Sequence, residues 1–306
     1  MARIVGIGAA VCDTLLVTDG FPPEDTKRRA ESTAQSGGGP CATGLVAAAK
    51  LGESAAFLGD LTDDPGGAFL LADFGRYGVD ASLARIRPGY RSFTSYIILN
   101  KQAATRTCIF DRGTLPGTVL DEAQKRAIRD AEILMVDGND LACAVEAAKI
   151  ARESGTRVLY DAGGLYEGIE ALLPYADYLI PSEEFALGLT RCASAEEAAR
   201  ELYRRYSPDA VVITQGKRGG ICFDGTALRS YPIYPAEVVD SNGAGDVFHG
   251  AFAAALCKGY DLITCCHFSS AVSGLKCTKL GARDGAPGFE AVTAYLAENA
   301  DLWESR

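Results

Sequence analysis

Val238-Val239-Asp240-Ser241-Asn242-Gly243-Ala244-Gly245-Asp246-Val247-Phe248-His249-Gly250 is the stretch from which the rest of the chain is read. Val238 and Val239 read as the end of a strand and Gly243-Ala244-Gly245 as a small-residue turn. Asp246 onward reads as a helix, because Val247, Phe248, Ala251, Phe252, Ala255 and Leu256 recur at helical spacing. A glycine turn opening a helix leaves main-chain N–H groups unpaired with the positive end of the helix dipole behind them, which is a ready seat for phosphate oxygens. A carboxylate repels phosphate, so Asp246 beside such a seat calls for a chemical reason. It could take a proton from an alcohol while the amides of Gly243, Ala244 and Gly245 hold charge developing on a phosphoryl group. Taken alone, Gly-x-Gly-Asp is equally turn punctuation followed by a helix-start acid. The wider sequence has to decide.

The 306 residues suffice for one large domain or two small ones. Hydrophobic content of 48% with 23% charged residues excludes a disordered chain. A net charge of −10, with no Lys/Arg run, argues against nucleic acid or an anionic membrane as partner. An acidic protein can still bind a nucleotide, because local amides and one or two basic residues suffice. No stretch is long and apolar enough to span a bilayer, and Ala2-Arg3-Ile4-Val5-Gly6-Ile7-Gly8 reads as a first buried strand rather than a signal segment. Ten cysteines without paired spacing and without Cys-x-x-Cys suggest reduced, mostly buried thiols, hence a cytoplasmic protein. Two histidines, His249 and His267, are too few for a His-based metal site.

Apolar runs alternate with helical patterns. Ile133-Leu134-Met135-Val136 precedes a helix over 141–153, Arg157-Val158-Leu159-Tyr160 and Tyr178-Leu179-Ile180 follow, then helices over 183–189 and 195–206, then Ala210-Val211-Val212-Ile213-Thr214. This alternation predicts a three-layer α/β/α sandwich around a mainly parallel sheet. Ligands in such sheets lie beyond the strand carboxyl ends, where Asp137, Asp161, Pro181-Ser182 and Thr214-Gln215-Gly216 fall. Two segments break the pattern: 14–34, with short β-prone pieces, and 91–112, which reads as a hairpin. Too short to fold alone, they are read together as a small β lid on a single domain spanning 1–306. Exposed lid edges would invite pairing into a homodimer.

Residues 240–246 closely resemble the C-terminal signature Asp-Thr-x-Gly-Ala-Gly-Asp of the ribokinase-like (phosphofructokinase B) sugar kinases, with Ser241 where Thr is usual. The resemblance runs over nearly the whole chain and is nearest to the ketohexokinase-like branch. It implies a ribokinase-like fold and an ATP- and Mg²⁺-dependent kinase, with Asp246 as general base and 243–245 as anion hole. The same resemblance makes Asp13, just past the first strand, an acceptor of sugar hydroxyls. Asp25 looks similar to a lid acid of the ketohexokinases. Ser36-Gly37-Gly38-Gly39-Pro40-Cys41-Ala42-Thr43-Gly44 resembles the first family signature, in which Gly38 and Gly39 let the backbone approach substrate. Thr43 and Pro40 stand where the family and its ketohexokinases have Asn, which puts fructose itself in doubt.

On the same resemblance, Arg106 aims toward the nucleotide phosphates and Arg112 toward the substrate. Thr214, Gly216 and Gly219 belong to a Thr-x-Gly-x-x-Gly segment beside ATP, and Cys277 and Gly281 to the segment lining the adenine slot. There is no Gly-x-x-x-x-Gly-Lys-Ser/Thr, so a P-loop is excluded. Ser182 and Phe185 replace Asn and Glu of the family's Mg²⁺-organising segment, leaving Glu183 and Glu184 as magnesium-shell candidates or as helix-start acids. Asp240, Ser241 and the loop near Gly281 could give oxygens to a monovalent cation, K⁺, as in several relatives. The favoured acceptor is a ketohexose-like or modified hexose; ribose or a nucleoside is the alternative, and a sugar- or nucleotide-sensing protein of the same fold a further one.

Overall fold

The computed structural model describes residues 2–103 and 105–304; position 104, inside the lid hairpin, lies outside the described residues. A nine-stranded sheet runs in the order β15 (Leu228–Tyr231), β14 (Gly220–Phe223), β13 (Ala210–Thr214), β12 (Tyr178–Pro181), β11 (Arg157–Ala162), β10 (Ile133–Val136), β1 (Ile4–Ile7), β4 (Ala55–Phe57) and β6 (Val79–Asp80). Every pairing from β6 to β13 is parallel, and β14 and β15 return antiparallel.

Side chains alternate across the strands and so feed two cores. Ile4, Met135, Leu159, Ile180 and Val212 pack on one face. There they meet α1 (Pro40–Lys50), α2 (Pro65–Arg76), α7 (Ala244–Cys257), α8 (Leu262–Cys277) and α10 (Phe289–Glu298). Val5, Leu134, Val158, Leu179 and Val211 pack on the other, against α3 (Glu122–Asp130), α4 (Leu141–Ser154), α5 (Glu183–Thr190) and α6 (Ala195–Tyr206). Two short helices, α9 (Ala282–Gly285) and α11 (Ala300–Glu304), complete the chain. The result is the expected three-layer sandwich. No helix among the described residues is long and apolar enough to cross a membrane.

The segments expected to form the lid contribute to a second sheet, β3 (Ser32–Gly38), β2 (Val11–Thr18), β8 (Thr94–Asn100) and β9 (Thr105–Asp111), in that order. It sits on its own small core of Leu15, Ile97 and Leu99. Against the expected 14–34, β2 starts at Val11 and ends at Thr18, β3 runs from Ser32 to Gly38, and between Thr18 and Ser32 no strand forms among the described residues. A further parallel pair, β5 (Asp60–Thr62) and β7 (Arg85–Arg87), is tied by Arg85 and Arg87 to buried Asp60.

The opening stretch differs from expectation at its start. Val238 and Val239 form no strand; both are exposed, and the Val239 and Asp240 N–H groups donate instead to the Cys277 carbonyl at the end of α8, at 2.8 and 3.1 Å. Helix α7 also begins two residues earlier than Asp246, with Gly243 as its N-cap in the left-handed region at φ 74°. One close approach fixes where α7 points. A Cβ on Gly250 would strike the Gly44 carbonyl oxygen, and one on Gly44 would meet the Met135 methyl at 2.6 Å. Two glycines thus let α1 and α7 lie backbone to backbone, with both N-termini at the carboxyl end of the sheet.

Candidate active site

Two cavities meet at the N-terminus of α7. One, of about 320 Å³, is walled by Thr214, Gly216, Gly219, Ser241, Ala244, Gly245 and Cys277, with Tyr231, Val238, Phe248 and Ser273. The other, of about 220 Å³, lies under the lid and is lined by Asp13, Gly38, Gly39, Pro40, Arg112, Asn242 and Asp246, with Val11, Phe93, Ile97, Phe110 and Tyr166. Asp246 and Gly245, neighbours in sequence, therefore face different chambers. Gly245 is exposed and a Cβ there would enter open space, so the residue keeps the first-turn amides accessible. The Ala244 amide is turned back to the Ser241 carbonyl at 3.3 Å, which leaves the amides of Gly245 and Asp246 as the outward-facing pair.

Asp246 is half-buried, and burial raises its pKa; His249, Arg106 and Lys276 pull it back down while Asp137 pushes it further up. A carboxylate poised in this way accepts a proton more readily than a solvated one. His249, one turn on, sits beneath it. Its Nδ1 lies 2.6 Å from the Gly245 carbonyl and 3.1 Å from Asp161 Oδ2, and its Nε2 lies 3.0 Å from the Ile180 carbonyl. Both ring nitrogens face oxygen, so the ring is fixed and holds the Gly245 peptide in turn. Burial lowers the imidazole pKa and lifts that of Asp161 well above the carboxylate range.

Asp13 falls on the lid strand β2 rather than in a loop. It is buried, accepts from Ser95 Oγ at 2.6 Å, and is pushed up to about 6 by burial, with Ser95 and Arg283 opposing. Gly38 has to be glycine, since a Cβ would collide with the Asp13 carboxylate, and Gly39, at φ 90°, would drive one into the Ala9 carbonyl. Asp137 anchors this corner from below: its Oδ2 accepts from Ala9 N at 2.8 Å and from Cys41 N, in the first turn of α1, at 3.0 Å. Arg112 lines the cavity with its guanidinium 5.5 Å from the centre of the Tyr166 ring, and among the described residues it has no carboxylate partner.

Other expected residues lie elsewhere. Asp25 is exposed on the stretch between β2 and β3 and lines neither cavity. Thr43 is wholly buried in α1, its Oγ1 without a hydrogen-bond partner among the described residues, and Pro40 alone of that pair reaches the cavity wall. Arg106, on the outer lid strand, lines neither chamber; its Nη1 is 3.4 Å from Ser241 Oγ, so it bridges the lid to the turn before α7. Glu183 is paired with Arg218 and accepts from Gln215 Nε2 at 2.8 Å, and Glu184 is exposed. Ser182 caps α5 at 3.1 Å from Phe185 N, while Phe185 lies edge-on to Tyr160 in the core and cannot serve a metal. No cluster of three or more His, Cys, Asp or Glu fit for a metal occurs among the described residues.

Sequence reasoning missed two buried cations. Lys276 Nζ donates to the Asp240 carbonyl at 2.6 Å and lies 3.7 Å from its Oδ2. The Asp240 carboxylate in turn accepts from Asn242 N at 2.8 Å and from Gly281 N at 2.9 Å, so Gly281 braces the turn instead of lining the cleft. Arg283 donates to Asp73 at 2.5 Å and to the Gly38 carbonyl at 2.7 Å, holding the end of β3 against the smaller cavity. Neither residue carries a sequence signal: each is a single basic residue, Lys276 in the last turn of α8 and Arg283 in the short α9. Phe93 and Phe110, tilted together with ring centres 5.8 Å apart, also escaped notice.

A family model described as "pfkB family carbohydrate kinase" matches residues 1–288. Ketohexokinase of Mus musculus is 28% identical over 301 residues, covering 95% of this chain and 98% of the relative. An ATP-dependent ribose-1-phosphate kinase of Halopiger xanaduensis is 28% identical over 304 residues, covering 98% and 100%. Among solved structures, ribokinase of Arabidopsis thaliana complexed with ribose and ATP superposes with a TM-score of 0.85 at 25% identity, over 96% of this chain and 98% of that one.

Proposed function

This chain belongs to the pfkB family of carbohydrate kinases, and from that footing we propose that it transfers the γ-phosphoryl group of ATP to a hydroxyl of a monosaccharide-sized acceptor lying between Asp13 and Asp246. One observation carries the reading: Asp246 opens into the lid cavity while Gly245 opens into the larger cleft, so an alcohol and a triphosphate would meet at one helix end.

With the acceptor hydroxyl against Asp246, the carboxylate takes its proton as the oxygen bonds to phosphorus and the bond from phosphorus to the bridging oxygen of ADP breaks. The amides of Gly245 and Asp246, backed by the α7 dipole, hold the charge gathering on the phosphoryl oxygens. Mg²⁺ would neutralise charge on the β- and γ-phosphates. Such an ion brings phosphate oxygens and waters as its ligands, and the exposed Glu184 is the acid of the pair available to those waters, Glu183 being engaged by Arg218 and Gln215. Closing the lid sheet over the acceptor excludes water, which would otherwise receive the phosphoryl group.

The acceptor chamber pairs acids with apolar walls. Asp13 can receive two hydroxyls, while Val11, Phe93, Ile97 and Phe110 suit the C–H face of a sugar ring. A ketohexose-like or modified hexose fits this best. Arg112, facing the chamber with no carboxylate partner among the described residues, favours a second reading in which the sugar carries an acid or phosphate group. The test is ADP release with Mg-ATP over ketoses, aldoses, sugar acids, sugar phosphates and nucleosides, repeated with Asp246→Asn. Turnover on the best acceptor should fall ~10²–10⁴-fold while ATP still binds by calorimetry; near-normal turnover would overturn the assignment.

A further inference from the structure

We propose that the Lys276 ammonium is a built-in monovalent cation for the Asp240 turn, so that phosphoryl transfer by this protein needs no free potassium and Lys276 is a positioning residue for the anion hole. The inference rests on the kinase reading and adds to it. Asp240 and the loop near Gly281 are where sequence reasoning places a K⁺ site, and the residues present do not fit one. Each oxygen of Asp240 is already engaged: Oδ1 by Asn242 N at 2.8 Å, Oδ2 by Gly281 N at 2.9 Å, and the carbonyl by Lys276 Nζ at 2.6 Å. The ammonium also lies 3.7 Å from Oδ2, with both side chains essentially sealed from solvent. A free cation would have to share these oxygens with a positive charge already among them, in a medium that screens poorly.

The ammonium is held where a cation would act. Its stem is sheathed by α9, since a Cβ on Gly285 would come 3.2 Å from Lys276 Cε. The neighbouring Cys277 carbonyl receives Val239 N and Asp240 N, so lysine and helix end together clamp 239–240 from two sides. Three residues later comes Gly243, the N-cap of α7, and then the outward-facing amides. Lys276 also helps keep Asp246 ionised from a distance. A tethered charge cannot be diluted away, so the turn stays organised in any salt.

The test uses the full chain, ATP as its tris salt, and chloride salts of K⁺, Na⁺, NH₄⁺ and tetramethylammonium at one ionic strength. Wild type should show the same turnover within ~2-fold, the same ATP affinity by calorimetry and the same Tm in all four. Lys276→Met should lose ~10–10²-fold in kcat in tetramethylammonium, with a smaller change in acceptor KM, and K⁺ or NH₄⁺ should restore turnover and raise Tm. Wild-type activation of ~10-fold or more by K⁺, or ATP affinity that requires K⁺, would overturn the proposal. So would a folded Lys276→Met that no cation affects. If that variant fails to fold, the wild-type arm decides alone. If no acceptor is phosphorylated in any salt, the kinase reading fails, yet the calorimetric and melting arms still judge the cation.

Discussion

Asp13→Asn should make the protein more stable and nearly useless at once. The folded Asp13 carboxyl holds its proton up to about pH 6, whereas the unfolded chain releases it near 3.8. Between those values the folded state binds the extra proton, so stability falls as pH rises through this window and the full cost is present above it. A difference of about 2 pH units at ~1.4 kcal/mol each amounts to ~3 kcal/mol near neutral pH. Asparagine removes the buried charge, and its carbonyl can still accept from Ser95 Oγ, which is 2.6 Å from Oδ1 in the native protein. Denaturant unfolding should therefore show a gain of ~1–3 kcal/mol at about pH 8 that vanishes at about pH 4. Acceptor binding should suffer in proportion to the charge-assisted bonds lost. Two hydroxyls at ~1.5–3 kcal/mol each correspond to ~10²–10⁴ in affinity. In the native enzyme the acceptor KM should rise as pH falls through about 6, where Asp13 takes up its proton. A variant that is less stable near pH 8, or that binds acceptor normally, would refute the reasoning on one count or the other.

Gly250→Ala places a methyl group against the Gly44 carbonyl and forces α7 off α1; a loss of ~1–3 kcal/mol is expected from chemical denaturation, with kcat falling more than ATP affinity. Phe110→Ala removes the lid half of the Phe93–Phe110 pair and should raise both the acceptor KM and the ADP released without acceptor, measured as phosphate liberated to water. Arg283→Met strands Asp73 in the interior and should cost ~3–5 kcal/mol in unfolding free energy; adding Asp73→Asn should recover part of it, and a strictly additive pair would refute the coupling.

The sandwich was readable because buried parallel strands announce themselves as apolar runs such as Ala210-Val211-Val212-Ile213, set between helical patterns. The helix over 195–206 falls where its pattern places it. Val238-Val239 misled because two valines carry the same signal whether they enter a sheet or wall a cleft; here Val238 borders the larger chamber and Val239 is exposed. Asp13 was placed just past the first strand, and the second strand that carries it went unread because Val11–Thr18 holds Asp13 and Thr14 inside it and lacks the continuous apolar run of the main sheet. The positions of glycines were informative at Gly38, Gly39 and Gly243, whereas the close approach of Gly44 and Gly250 is visible only in the fold. Lys276 and Arg283 were invisible for a different reason. A buried cation is defined by the carboxylate it meets, and Asp240 and Asp73 lie 36 and 210 residues away in sequence.

Those two cations resolve a difficulty that the composition poses. Asp13, Asp137, Asp161 and Asp246 crowd the end of the sheet where a triphosphate has to arrive, in a chain of net charge −10. The acids are not left bare. Asp137 is consumed by main-chain N–H groups, and burial holds Asp161 toward its neutral form. Lys276 and Arg283 sit behind the chambers rather than in them, each bonded to a backbone carbonyl on a cavity-bearing turn. Positive potential therefore reaches the phosphates through amides and helix ends, with the exposed Lys217 on the wall of the larger cleft. On the proposed reading, Asp13, held by Ser95, receives acceptor hydroxyls, and Asp246 is the acid in the same cavity whose carboxylate no hydrogen-bond donor occupies among the described residues, which is what a base working next to a polyanion requires.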